Sequence, residues 1–346
     1  MRSIIIAGLF IGAIANRGRA QAHPPPLPIG VSNNAVASVR HGGRLTIYSL
    51  LGVDSTKRWS GILTRAFRWT DGHLAWEEMP RVPGAVGRLA ATAQVVRGRL
   101  YLFGGYTVAE DGAERSAPEV DVFDPATGRW SLAAPIPVPV DDAVSGVYRD
   151  SLVYLVSGWH DTTTVALVQI FDVVANRWTE GTPFPGTPVF GHAGGLADGS
   201  ILIVDGAKRI AGPTRFALEQ QAWLGRIDAR TPSQIAWTKV ANHPGPPRYR
   251  AAGSVCGAST VVIAGGSANP YNYNGIGYNG TPSTPESGSV AYEVRGRRWR
   301  TLPPAPSPTM DHRGLIVVGR QGWVVGGMGD GQRVSPRSVS YPLPGC

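Results

Sequence analysis

GRLYLFGG at 98–105, FDPATGRW at 123–130 and the SLAAPIPVP that follows at 131–139 decide how this chain is read. Leu100–Phe103 is a short apolar run, the mark of a buried strand. Gly104-Gly105 lets the backbone turn tightly beside a crowded axis. Asp124-Pro125-Ala126-Thr127-Gly128-Arg129 is built of turn formers. Trp130 then offers a large apolar face with which one sheet can pack on its neighbour.

The same succession recurs along the chain. Hydrophobic strands run into small-residue turns at Leu45–Leu51 before Gly52, Leu100–Phe103 before Gly104-Gly105, and Leu152–Val156 before Ser157-Gly158. Three more are Ile201–Val204 before Asp205-Gly206, Val261–Ala264 before Gly265-Gly266, and Trp323–Val325 before Gly326-Gly327. Successive turns are 48 to 61 residues apart. That period is too long for leucine-rich or helical repeats and suits a four-stranded propeller blade. Trp76, Trp130, Trp178, Trp237 and Trp299 keep the same phase, each leading into a proline-rich stretch. Gly (45) and Pro (29) make up about a fifth of the 346 residues, while charged residues are only 16%. This fits one all-β domain of many turns and excludes coiled coil and highly charged disorder.

The doubled glycine with its spaced tryptophan resembles the kelch repeat, and the resemblance covers residues 23–346. It implies a six-bladed kelch β-propeller. Only 19 residues follow Gly327, enough for one outer strand over 338–343. Pro24-Pro25-Pro26-Leu27-Pro28 resembles the stretches after each tryptophan, so the N-terminus is expected to supply the last strand of blade six. That closes the ring and removes an exposed sheet edge. Cys256 and Cys346 both fall on the bottom face, where they form either a disulfide or two unpaired thiols.

Residues 1–22 carry the pattern of a secretory leader: Arg2, an apolar run from Ile4 to Ala15, and Ala20-Gln21-Ala22 before His23. The run is too short for a membrane span. A periplasmic or secreted protein beginning at His23 is expected. The formal charge of the chain is +9, carried almost wholly by arginine. Basic residues are scattered singly rather than in a nucleic-acid-binding tail, and Arg295, Arg297, Arg298 and Arg300 read as a surface strand edge. No nucleic acid partner is expected.

In an up-and-down blade, the segment leading into the innermost strand and the loop after the second strand share one face, the top. Asn33, Asn34, Arg88, Asp141, Asp142, Phe190, His192, Arg248, Arg250, Asp311, His312 and Arg313 come from the first kind of segment. Trp159, His160, Asp161, Lys208, Arg209, Arg215, Tyr271, Tyr273 and Asp330 come from the second. Loops on a rigid scaffold are where binding sites sit, so this rim is the candidate site. Each arginine there has an alternative role in bridging blades. The histidines lack metal-binding spacing, and no metal or cofactor is expected. Cys256 lies at the wrong end of its blade for copper-radical oxidase chemistry.

The blade count, the leader and the closing N-terminal strand together resemble the periplasmic N-acetylneuraminate epimerases, or sialic acid mutarotases. The matching segments are GRLYLFGG at 98–105, FDPATGRW at 123–130 and DGAKRIAGPTR at 205–215. The resemblance implies an acidic-sugar partner and opening and reclosure of a sugar ring. Arg215 matches the family arginine that holds the acidic sugar if two residues are inserted. The family's catalytic glutamate falls on Ala207, which transfers no proton. Ring opening needs an acid and a base near neutral pKa, for which His192, Asp142, Asp205 and His160 are the replacement candidates. Arg88, Arg215, Arg248, Arg250 and Arg313 suit a sugar carboxylate. Lys208, Arg209 and His312 complete the charged rim, and Tyr271, Tyr273 and Trp159 offer stacking faces. The Asn/Tyr/Gly-rich segment 269–280 reads as a lid or as a disordered insertion. The alternative to an epimerase-like enzyme is a non-catalytic propeller that binds a glycan or a protein.

Overall fold

The computed structural model describes residues 23–346; the expected leader at 1–22 lies outside them. Among the described residues the regular structure is β-strand with two short 3-10 turns, and no helix is long and apolar enough to cross a membrane. Five sheets have four antiparallel strands and a sixth has three. In blade two the strands from the axis outward are Thr92–Val96, Arg99–Phe103, Val120–Asp124 and Arg129–Leu132. The innermost strands of the other blades are Ala35–His41, Val144–Tyr148, Ala193–Ala197, Ala252–Cys256 and Ile316–Val318. Each packs beside the next, and the last packs beside the first, so six blades form a closed propeller.

Each blade makes one bridge above its two inner strands. The pairs are Ser32–Val53, Leu89–Tyr106, Asp141–Trp159, Phe190–Ala207, Tyr249–Ser267 and Met310–Met328. They join the lead-in residue to the loop after the second strand, which puts both on the top face. The turn glycine below each bridge has a steric cause. A Cβ on Gly52, Gly105, Gly158, Gly206, Gly266 or Gly327 would lie 2.5–3.1 Å from the carbonyl oxygen of its blade's lead-in residue. All six have φ between +89 and +111°, a region that L side chains avoid.

The tryptophans stitch neighbours together by hydrogen bond as well as by packing. Trp130, Trp178, Trp237 and Trp299 each donate Nε1–H to a carbonyl in the stretch after the previous blade's outer strand: Pro80, Ala134, Thr182 and Ala241, at 2.6–3.3 Å. Trp76 of blade one donates in the same way to Pro25 at 2.7 Å. The N-terminal segment therefore occupies the missing fourth position of blade six. Leu27 N–H donates to Pro336 O at 2.7 Å, as Val82, Ile136, Phe184 and Ala305 donate at 2.8–2.9 Å in their blades. These five side chains are buried knobs beside the outer strands. The segment makes no regular ladder, because prolines lack the N–H that a ladder needs. In blade four the knob is His243, whose Nε2 lies 2.6 Å from Asp205 Oδ2 in the interior.

Cys256 and Cys346 are disulfide-bonded across 90 residues, which settles the choice between a bridge and two thiols. The bond ties the bottom of blade five to the end of the chain in blade six.

Loop-closure entropy for such a span is worth about 4–5 kcal/mol. Cys346→Ser should lower the melting temperature by about 5–10 °C, and reductant should produce the same fall in the unmutated protein only. Scanning calorimetry with and without reductant checks this. The glycine argument gives a second expectation. Gly158→Ala brings Cβ to 2.7 Å from Asp141 O, whereas Gly128, at φ +69°, has nothing within 4 Å. Both alanines cost about 1 kcal/mol of left-handed strain, so urea denaturation should find Gly158→Ala the more destabilised by about 1–3 kcal/mol.

Candidate functional site at the top of the ring

The residue after each lead-in position is left-handed: Asn33, Ala90, Asp142, Gly191, Arg250 and Asp311 have φ of 52–71°. This turns their amides toward the neighbouring blade. Asp142 N–H donates to Ala90 O, Gly191 N–H to Asp142 O, and Arg250 N–H to Gly191 O, at 2.7–3.1 Å. His312 N–H to Arg250 O at 3.1 Å and Asn33 N–H to Asp311 O at 3.4 Å continue the circle. Ala90 N–H completes it by donating to the Asn33 side-chain oxygen at 2.6 Å.

The side chains on this circle meet at the axis as an ion-paired plug. Arg250 reaches Asp142 at 2.7 Å and Asp311 at 3.3 Å. Arg313 reaches Asp142 at 2.8 Å and Asp311 at 3.6 Å, and donates to Asn33 Oδ1 at 2.8 Å. All four charged side chains are at most 4% exposed. Burial works against the Asp142 charge, but the two guanidiniums outweigh it and hold the carboxyl below its usual range. Below the plug runs a channel of about 310 Å³ lined by the inner strands, with His192 and His312 in its wall.

Beside the plug, under the top surface, lies a cavity of about 290 Å³. Arg250, Asp142 and Asp141 form its floor. Trp159, Phe190, Phe216 and Tyr278 give it aromatic walls, and Glu114 and Arg215 line it from blades two and four. Asp141 is buried and accepts a hydrogen bond from Ser116 Oγ at 2.9 Å. Burial, reinforced by the Asp142 charge, pushes its carboxyl well above the usual range. Desolvation also raises Glu114, with Asp142 adding to the effect and Arg250 and Arg215 opposing it. Arg215 is exposed, with its guanidinium 5.7 Å from the Phe216 ring, and no carboxylate among the described residues pairs with it. The cavity thus offers a free guanidinium, two carboxyls that hold protons more tightly than usual, and flat apolar surfaces.

Residues 87–137, which are blade two, match the family described as Kelch motif. The fold is a six-bladed kelch propeller. Kelch-like protein terF of Aspergillus terreus is 26% identical over 217 residues, covering 59% of this chain and 43% of that protein. Kelch-like protein 15 of Homo sapiens is 23% identical over 262 residues, covering 73% of this chain and 40% of that protein. The chain spans less than half the length of these two relatives. The solved structure of YjhT superposes with a TM-score of 0.74 at 14% identity, covering 93% of this chain and 97% of that one. At that identity the likeness shows the kelch propeller's architecture.

Of the rim residues named from sequence, the propeller brings Arg215, Asp142 and Arg250 to the cavity, with Asp141, Asp161, Trp159 and Phe190. Others are occupied within the scaffold. Arg88 pairs with buried Asp121, and Arg248 donates to Gly288 O at 2.7 Å. Lys208 pairs with Glu219 at 2.6 Å, and Arg209 donates to Thr162 O at 3.1 Å. His160 Nδ1 lies 2.7 Å from Pro139 O. Asp205 stands where three other blades have the first turn glycine, and its carboxylate accepts from His243 and from Arg248 N–H. Tyr271 is fully buried with its ring 5.1 Å from Tyr249, and Tyr273 is half-buried against Tyr106 and Leu89. Segment 269–280 is a folded roof, hydrogen-bonded internally from the N–H groups of Asn272, Gly275, Tyr278 and Gly280. It hangs Asn272 and Tyr278 into the cavity. Sequence reasoning missed Glu114, Tyr106, Phe216 and Tyr278. For Tyr106 and Glu114 the long interval between Gly105 and Val120 was the signal, since it holds a hairpin, Tyr106–Val108 with Glu114–Ser116, that folds onto the top.

His192 and His312 are buried in the channel wall. Burial lowers His192 to about 4. Burial and the Arg313 charge lower His312 to about 3. In the unfolded chain both imidazoles take up protons near pH 6.5, so below that pH the unfolded state binds more protons and folding weakens. Stability should fall by about 2 kcal/mol per histidine between pH 7 and pH 5. Chemical denaturation across that range should show a shallower fall for His192→Gln.

Proposed function

We propose that the top cavity binds an acidic sugar and promotes its anomeric interconversion, with Arg215 holding the carboxylate and Glu114 handling the proton. The observation that carries this reading is that unpaired Arg215 and Glu114, whose carboxyl is raised by desolvation, line one aromatic-walled cavity from blades four and two. Ala207, where the epimerase-like pattern places its glutamate, is buried against Phe190 and is not part of the cavity wall. Blade two then supplies the carboxyl that blade four lacks. Asp141, whose carboxyl is pushed well above the usual range by burial and the neighbouring Asp142 charge, donates to the ring oxygen while Glu114 takes the anomeric proton. Trp159, Phe216 and Tyr278 supply faces for the apolar side of a sugar ring. The secretory pattern of residues 1–22 and the paired cysteines support work in the periplasm or outside the cell.

A second reading is a non-catalytic surface for a glycan or protein. Trp59, in the loop after the second strand of blade one, and Val86, in the segment leading into blade two, are 43% and 61% exposed and favour it. The two readings part on catalysis. Proton NMR of N-acetylneuraminate should show accelerated anomeric exchange with the unmutated protein. Glu114→Gln should slow that exchange by about 100-fold while keeping affinity, and Arg215→Met should weaken binding by about 10- to 100-fold. Absence of acceleration, with sugar binding indifferent to Arg215→Met, sinks the enzymatic reading.

A further inference from the structure

The face opposite the cavity carries a charge pattern that the top does not explain. By the up-and-down topology, the turns between first and second strands surround the bottom mouth of the channel. They are short, so the face is flat. Arg40 and Arg44 flank the turn of blade one, Arg97 lies in blade two, Arg149 in blade three and Arg320 in blade six, all exposed. Arg297 adds an exposed charge on the outer turn of blade five. None of these six guanidiniums has an ion pair among the described residues, although Arg149 also donates to Ala229 O at 3.0 Å and lies over the Tyr148 ring.

The acids of this face are largely committed elsewhere. Asp124 pairs with Arg99 at 3.3 Å, Asp198 with Arg295 at 3.1 Å, and Glu293 with Arg298 at 2.7 Å. Asp150 accepts the Arg97 backbone N–H at 2.8 Å. Asp172 and Asp228 cap turn amides on the outer edge, where Asp71 also lies. Leu74 and Val174, in the outer turns of blades one and three, project from the same face at 96% and 67% exposure.

We propose that this bottom face docks on a bilayer surface of anionic phosphate headgroups. Guanidiniums spread over several blades match a two-dimensional array of phosphates better than they match one compact anion, and arginine forks pair bidentately with phosphate. Exposed Leu74 and Val174 beside them suit the headgroup boundary, where apolar side chains and basic residues act together. Docking in this orientation turns the top cavity toward solvent.

The test is co-sedimentation of the chain from His23 onward, which is the whole propeller. The vesicles are phosphatidylcholine alone or with one third phosphatidylglycerol. Binding should require phosphatidylglycerol and should fade between about 0.05 M and about 0.5 M salt. Reversing Arg40 and Arg44 to Glu should weaken it at least about 30-fold, since each basic residue near such a surface is worth roughly fivefold. Reversing Arg58 and Arg333 on the top should leave it unchanged. Equal binding to both vesicles, or equal weakening by the top reversals, overturns the proposal. So does capture of soluble polyphosphate or single-stranded DNA without vesicle binding, which would assign the face to a soluble polyanion.

Discussion

A ring of six sheets has one seam, and every long-range contact on its axis depends on that seam holding. Here it is held by the first few described residues. Pro25 O receives the indole of Trp76, Leu27 N–H reaches Pro336, and the Leu27 side chain packs into the cluster of Trp76, Ile316 and Trp323. These bonds are individually worth about 1 kcal/mol, but they bring Asn33 against Asp311 and Arg313. Without that meeting the axial circle of amides stays open and the plug lacks one side. The disulfide from Cys346 secures the other edge of the same blade. Blade six, which has the fewest strands, is therefore held by both ends of the described chain.

The axis and the cavity divide the electrostatic work. On the axis two buried guanidiniums face two buried carboxyls, a pattern that confers geometry rather than net stability. Arginines used there are paired with buried carboxylates, although Arg250 still acts on the cavity carboxyls. The carboxyls of the cavity, off the axis, are crowded and only partly offset by Arg250 and Arg215. Asp141 and Asp142 are adjacent in sequence yet pushed in opposite directions, because only Asp142 touches Arg250 and Arg313. Environments that separate neighbouring carboxyls in this way are what acid and base roles require.

The fold was legible because its constraints are local and repeated. Gly105 or Gly206 must lack a side chain wherever a lead-in carbonyl lies above it, and Trp130 or Trp178 must reach the preceding blade. The closing role of residues 24–28 was legible for the same reason, being a further copy of a repeated stretch. The site was legible only as a face. Arg250, Arg313 and Asp142 were placed on the rim, but their mutual cancellation arises between residues as distant in sequence as Asp142 and Arg313 and leaves no local mark. Tyr271 looked like a stacking surface and is a buried support for Tyr249. Glu114 was overlooked because the acidic turn around Glu110 and Asp111 reads as solvent-facing, and only the pairing of its hairpin brings it over the cavity.

The axial plug also bears on how such a sequence can change over time. Each of its charges is counted by two neighbours, so no position there can be judged alone. Loss of Asp142 leaves two buried guanidiniums facing one carboxyl, and loss of Arg250 leaves two carboxyls sharing Arg313. Paired replacements restore balance where single ones do not. The centre of the molecule is thus an epistatic knot, where substitutions are expected in combinations rather than one at a time.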